Sequence, residues 1–110
     1  MDKNNALDAF AALSQATRLD VFRLLIKAGG AGMSSGDIGD TLGVRQNTMS
    51  TNLGVLARSG LIRSEREGRS IRYFADMDGM RGLLAFLMED CCGGHPELCQ
   101  PVINELACAC

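Results

Sequence analysis

The chain has 110 residues, of which 46% are hydrophobic and 22% charged, with a formal net charge of −2. That length and balance describe one domain with a single modest core and exclude disordered, fibrous and collagen-like classes. The opening MDKNNALDAF lacks a basic stretch followed by an apolar one, and the longest apolar run, residues 83–88, is too short to span a bilayer.

No signal peptide is therefore expected, no membrane partner, and a cytoplasmic location. In that compartment thiols stay reduced, so a cysteine cluster points to metal, metalloid or redox chemistry before structural disulfides.

In chain order, residues 5–13 (NALDAFAAL) predict a short helix ending near Ser14. Ser14 is expected to cap a second helix over 15–28, where Leu19, Phe22, Leu25 and Ile26 form an apolar stripe. Gly29-Gly30-Ala31-Gly32 ends it. Ser34 or Ser35 then offers an N-cap for a short helix ending at Leu42, with Ile38 and Leu42 four apart. Gly43 follows, and a further helix begins at Arg45 or Gln46 and ends at Ser59-Gly60. Two short helices joined by a tight glycine-containing turn are the helix-turn-helix pattern. Residues 61–67 and 69–74 flank Gly68 and predict a β-hairpin. A last clear helix runs from about Asp78 to Glu89, with Met80, Leu83, Leu84 and Leu87 at helical spacing, and residues 101–107 add one more turn or two. The expected fold is predominantly α with a β-hairpin wing: a winged helix-turn-helix over residues 1–90, followed by a cysteine-rich tail over 91–110.

The charge is unevenly spread. Residues 45–75 hold six arginines against Glu65 and Glu67, a local +4, whereas residues 76–110 hold Arg81 against six carboxylates, a local −5. Clustered basic charge is the footprint that matters for nucleic acid, and whole-chain charge hides it. With Met49 at the origin of a helical wheel, Leu53 and Leu56 fall on its side, while Asn47, Thr51, Gly54 and Arg58 fall nearly opposite and Ser50 sits on the flank. Gln46 and Asn47 are suited to paired hydrogen bonds with adenine, and Ser50 and Thr51 to bases or phosphates. An ordinary solvated helix face would look similar on its own. Arg63, Arg66, Arg69 and Arg72, clustered around Gly68 on a protruding ribbon, favour duplex DNA, where arginines grip phosphates or enter a minor groove.

These residues, in order, resemble the arsenic-repressor (ArsR/SmtB) family of bacterial metal-sensing repressors. The resemblance is carried by LSQATRLDVFRLL (13–25), SGDIGDTLG (35–43), QNTMSTNLGVL (46–56), SGLI (59–62), REGR (66–69) and RYF (72–74). It implies a homodimer in which the first and last helices pack against their symmetry mates, and release of operator DNA when a metal or metalloid binds. The family often carries His before the leucine of the recognition helix and a basic residue after it. Here those positions are Asn52, a changed contact, and Gly54, which weakens the helix by up to about 1 kcal/mol.

The best-known arsenic repressors hold a Cys-x-Cys motif in the helix before the recognition helix, and SSGDIGDTL (34–42) has no cysteine. The zinc-sensing branch uses histidine along the last helix, and MDGMRGLLAFLMED (77–90) has none. All five cysteines, Cys91, Cys92, Cys99, Cys108 and Cys110, lie in the last twenty residues. The arrangement resembles an arsenic-responsive branch with a vicinal cysteine pair at the end of the last helix. Cys91, Cys92 and Cys99 are the expected ligands of As(III) or Sb(III), soft centres that three thiolates hold in a pyramid. The Gly93-Gly94 break and Pro96 allow the chain to turn back.

A zinc, cadmium or lead site is the competing reading, with His95 as a fourth donor, although adjacent cysteines depart from the usual C-x2–4-C spacing. A disulfide switch on the same scaffold is another. Cys108 and Cys110 are unassigned, and His95 is expected to be a surface residue. A thiol enzyme is set aside, because no Cys-x-x-Cys in a βαβ context and no Cys-x5-Arg loop occurs. No organic cofactor is implied.

Overall fold

The structure, a computed structural model, describes residues 1–88 and 96–107. Cys91, Cys92, Cys108, Cys110 and His95, together with the expected end of the last helix at Glu89, lie outside the described residues.

Helix α1 (Lys3–Leu13) begins two residues before the expected start because Asp2 caps it, its Oδ1 accepting from Asn5 N at 2.7 Å. Its inner face is Ala6, Ala9 and Ala12, small residues that let neighbouring backbones approach. The cap of α2 (Ala16–Ala28) is Gln15, whose side chain accepts from Arg18 N at 2.8 Å. Ser14, the expected cap, closes α1 instead by donating its hydroxyl to Ala11 O. The expected stripe on α2 is also corrected. Val21, Phe22 and Leu25 are buried, while Leu19 and Ile26 are 41% and 39% exposed. The core face centres nearer Leu25, which leaves Leu19 and Ile26 about 100° off its axis.

A 3₁₀ turn (Gly29–Ala31) leads to β1 (Met33–Ser34) and α3 (Ser35–Leu42), capped by Ser34 Oγ accepting from Asp37 N. Helix α3 ends at Gly43, whose φ of 69° is the left-handed cap that a residue without Cβ adopts readily. The recognition helix α4 spans Gln46–Arg58. The wing is β2 (Ile62–Glu67) and β3 (Ser70–Ala75), antiparallel with Ile62 opposite Ala75 and Glu67 opposite Ser70, so that Gly68-Arg69 is a two-residue loop. Met33 and Ser34 pair with Tyr73 and Arg72, which makes a three-stranded sheet in the order β1-β3-β2. A two-residue strand has no periodicity and was not expected.

Asp76 caps α5 (Met77–Leu87), its Oδ1 accepting from both Asp78 N and Gly79 N at 3.1 Å. Helix α6 runs over Pro96–Ala107, well beyond the turn or two expected at 101–107. Pro96 opens it, where the missing N–H is harmless, and Pro101 sits within it.

The core joins Val21, Phe22 and Leu25 of α2 to Ile38 of α3, to Met49, Leu53 and Leu56 of α4, and to Leu61, Ile62 and Leu83. Burial of α4 along its apolar edge leaves the opposite edge in solvent. The fold is the expected winged helix-turn-helix. Among the described residues no helix is long and apolar enough to cross a membrane.

Candidate nucleic-acid interface

Helix α4 buries Met49, Asn52, Leu53 and Leu56 and exposes Gln46, Asn47, Ser50, Thr51 and Arg58. Asn47 Oδ1 accepts from Thr48 N at 2.8 Å, and Thr51 Oγ1 donates to Asn47 O at 3.2 Å. These local bonds hold the two side chains on the first turns of the helix. Arg45, at the N-cap, supplies no side-chain cap.

The wing and the helix pair meet in one groove. Ser50 of α4, Ser34, Ser35 and Gly36 at the start of α3, and Arg69, Ser70, Ile71 and Tyr73 of the wing line about 460 Å³. Arg66 and Arg69 are exposed, and among the described residues no ion pair engages either. Hydroxyls plus a free guanidinium suit a phosphate oxygen: the hydroxyls donate and the cation supplies charge-assisted bonds. Ser35, Ser70 and Tyr73 were not singled out in the sequence, because Ser-Ser before a helix reads as capping and the wing residues meet it only through folding.

Other expected contact residues are otherwise occupied. Gln46 Nε2 donates to Ser35 O at 3.1 Å, bracing the two helices of the motif. Arg72 donates through Nε to Ala31 O at 2.6 Å and through Nη2 to Gly32 O at 3.4 Å. Arg63 pairs with Glu65 at 2.6 Å, and its guanidinium carbon lies 4.4 Å from the centre of the Phe74 ring. Arg58 is at the far end of α4, beside Asp8 and Ala12 of α1, where a cation complements the helix C-terminus. It lies about two turns beyond Ser50 and does not line the wing groove. Asn52 is turned inward, 6% exposed, and its Oδ1 accepts from Arg18 Nη1 at 3.4 Å. Its side chain is therefore not on the contact face.

Residues 13–65 match the family model described as a helix-turn-helix domain. A solved ArsR-like transcriptional regulator from Rhodococcus sp. RHA1 superposes with a TM-score of 0.71 at 27% identity, over 94% of this chain and 93% of that one. The chain carries a helix-turn-helix domain in a winged fold similar to that of ArsR-like transcriptional regulators. HlyU from Vibrio cholerae N16961 shares the fold, with a TM-score of 0.64 at 23% identity over 84% of this chain and 99% of that one. So does the homodimeric winged helix-turn-helix domain of Mb0332 from Mycobacterium bovis, with a TM-score of 0.65 at 24% identity over 84% and 85% of the two chains. No curated protein sequence matches.

Of the thiols, Cys99 lies within the described residues. It is 7% exposed, within α6, and is disulfide-bonded. The other four cysteines fall outside the described residues. Among the described residues no cluster of three or more His, Cys, Asp or Glu is arranged to hold a metal. The donor chemistry still fits a soft centre. When reduced, a cysteine supplies a thiolate, which a thiophilic ion takes in preference to oxygen ligands.

Proposed function

We propose that this chain is a homodimeric transcriptional repressor that binds operator DNA through α4 and the wing and is released by As(III) or Sb(III) at Cys91, Cys92 and Cys99. The observation that carries DNA binding is the shared groove, in which Ser50 of the recognition helix and the unpaired Arg69 of the wing face one space. The dimer is supported by apolar side chains left in solvent on adjoining helices: Leu7 and Phe10 on α1, and Leu84 and Leu87 on α5. The inducer reading is supported by the confinement of every cysteine to residues 91–110 and by the sulfur–sulfur proximity at Cys99. Arsenite carries three hydroxyl groups. Three thiols displace them, each proton leaving with hydroxide as water, and no electron is transferred. Ligand binding beside the last helix then biases the dimer toward a spacing of recognition helices that fits DNA less well, which requires differential affinity for the two states.

The disulfide at Cys99 favours one second reading, a thiol-redox switch in which two thiols yield two electrons and two protons to an oxidant. The separating test is fluorescence anisotropy on DNA selected by the wild-type protein from a random-sequence pool. It is run reduced and anaerobic, with arsenite, zinc, peroxide or no addition, on wild type and on Cys91→Ser, Cys92→Ser and Cys99→Ser. Release by arsenite alone, lost in all three variants, is the expected result. Release by peroxide but not arsenite replaces the metalloid reading with the redox one. Release by zinc replaces it with the metal-ion one.

A further inference from the structure

Asn52 is the one polar side chain buried among the described residues, and it sits on the inner face of the recognition helix between Met49, Leu53 and Leu56. Its oxygen accepts from Arg18 Nη1. The same guanidinium donates through Nε to Ala12 O at 2.7 Å and through Nη2 to Ala11 O at 3.4 Å. Arg18 thus ties Ala12 O and Ala11 O at the end of α1, the latter also accepting from Ser14, to the middle of α4.

We propose that Arg18 and Asn52 are a positioning pair that sets the azimuth of the recognition helix against α1, and so determines which bases it reads. The inference rests on the DNA-binding reading above.

Apolar packing by Met49, Leu53 and Leu56 is non-directional, and side chains of that kind accommodate small rotations of a helix. A hydrogen bond is directional, and a single buried polar contact among apolar ones is a known means of selecting one register. Leverage makes the choice matter. A rotation of about 20° moves side chains on a helix surface, about 5–6 Å from the axis, by about 2 Å. That displacement breaks hydrogen bonds from Asn47 or Thr51 to a base edge. Arg66 and Arg69 lie on the wing, a separate element, so the charge they bring to phosphates does not depend on the azimuth of α4.

The test uses the full chain and four variants: Asn52→Leu, which keeps the volume and removes the acceptor; Asn52→Asp, which keeps the acceptor; Arg18→Gln; and the Arg18→Gln/Asn52→Leu double variant. Anisotropy gives affinity for the duplex selected by wild type and for a scrambled duplex, at a temperature where circular dichroism shows every variant folded. Asn52→Leu and Arg18→Gln are expected to lose about tenfold in selected-duplex affinity, the scale of one lost base contact, with scrambled-duplex affinity unchanged. The double variant is expected to lose no more than either single one, and Asn52→Asp to retain selectivity. A fall in both affinities together, with their ratio preserved, assigns the pair a merely structural role and overturns the proposal. Unchanged selectivity in Asn52→Leu also overturns it. If wild type binds no duplex, the DNA-binding reading fails, and this inference with it.

Discussion

Arg72 Nε donates to the carbonyl of Ala31, 41 positions earlier in the chain, at 2.6 Å. The bond fastens β3 to the glycine-rich turn after α2, and it separates Arg72 from Arg69, three residues away, which projects from the loop of the same hairpin. Arg72→Ala is expected to lower stability by about 1 kcal/mol, the scale of a partly exposed charged hydrogen bond. Arg69→Ala is expected to leave stability alone and to reduce the slope of log affinity for DNA against log salt by about 1. Urea unfolding and salt titration of DNA binding separate the two effects. Equal salt slopes for both variants would return Arg72 to the contact surface.

Two glycines on one helix are expected to respond with opposite signs. A Cβ on Gly79 meets the carbonyl oxygen of Gly60, which is backbone and cannot swing aside. A Cβ on Gly82 comes no nearer than 3.7 Å, to the Met1 side chain. Alanine gains up to about 1 kcal/mol over glycine inside a helix, and overpacking costs about 1–3 kcal/mol. Gly79→Ala is therefore expected to destabilise and Gly82→Ala to stabilise slightly, as read from thermal unfolding midpoints.

Leu87 is 56% exposed on α5. If that face is the seam between subunits, Leu87→Glu places a charge in it and is expected to yield a folded monomer by light scattering, with a native circular dichroism spectrum. DNA affinity is expected to fall with it, since two half-sites are no longer engaged together. A dimer of unchanged tightness would move the seam off α5.

Because Cys99 is disulfide-bonded, air-exposed protein denatured in iodoacetamide is expected to show Cys99 unmodified by mass spectrometry. Prior reduction should make it alkylatable. Addition of arsenite to the reduced protein is then expected to protect Cys91, Cys92 and Cys99 together. Protection of Cys108 and Cys110 instead would transfer the inducer site to the chain end.

The turns of the fold were legible because each rests on chemistry local to a few residues. Gly43 after Leu42, Gly68 between alternating strands and Ser34 before α3 announce their roles within one or two positions. The apolar edge of α4 was legible for the same reason, since Met49, Leu53 and Leu56 repeat at the helical period. Caps were less so. Ser14 reads as the cap of α2, yet it closes α1 and Gln15 caps α2, because the role of each depends on where α1 stops.

Sequence by itself thus determined the order of the first five helices and the hairpin, the winged helix-turn-helix class, the basic segment and the confinement of thiols to the last twenty residues. All of these follow from periodicity, turn residues and composition, which are properties of short stretches. Only the tertiary structure decided which polar side chains are free to meet a partner. Gln46, Asn52 and Arg72 look as available as Asn47, Ser50 and Arg69 along the chain, yet Ser35, Arg18 and Ala31 engage them. A polar group's availability depends on partners brought beside it from 11, 34 and 41 positions away, and no local pattern records that distance.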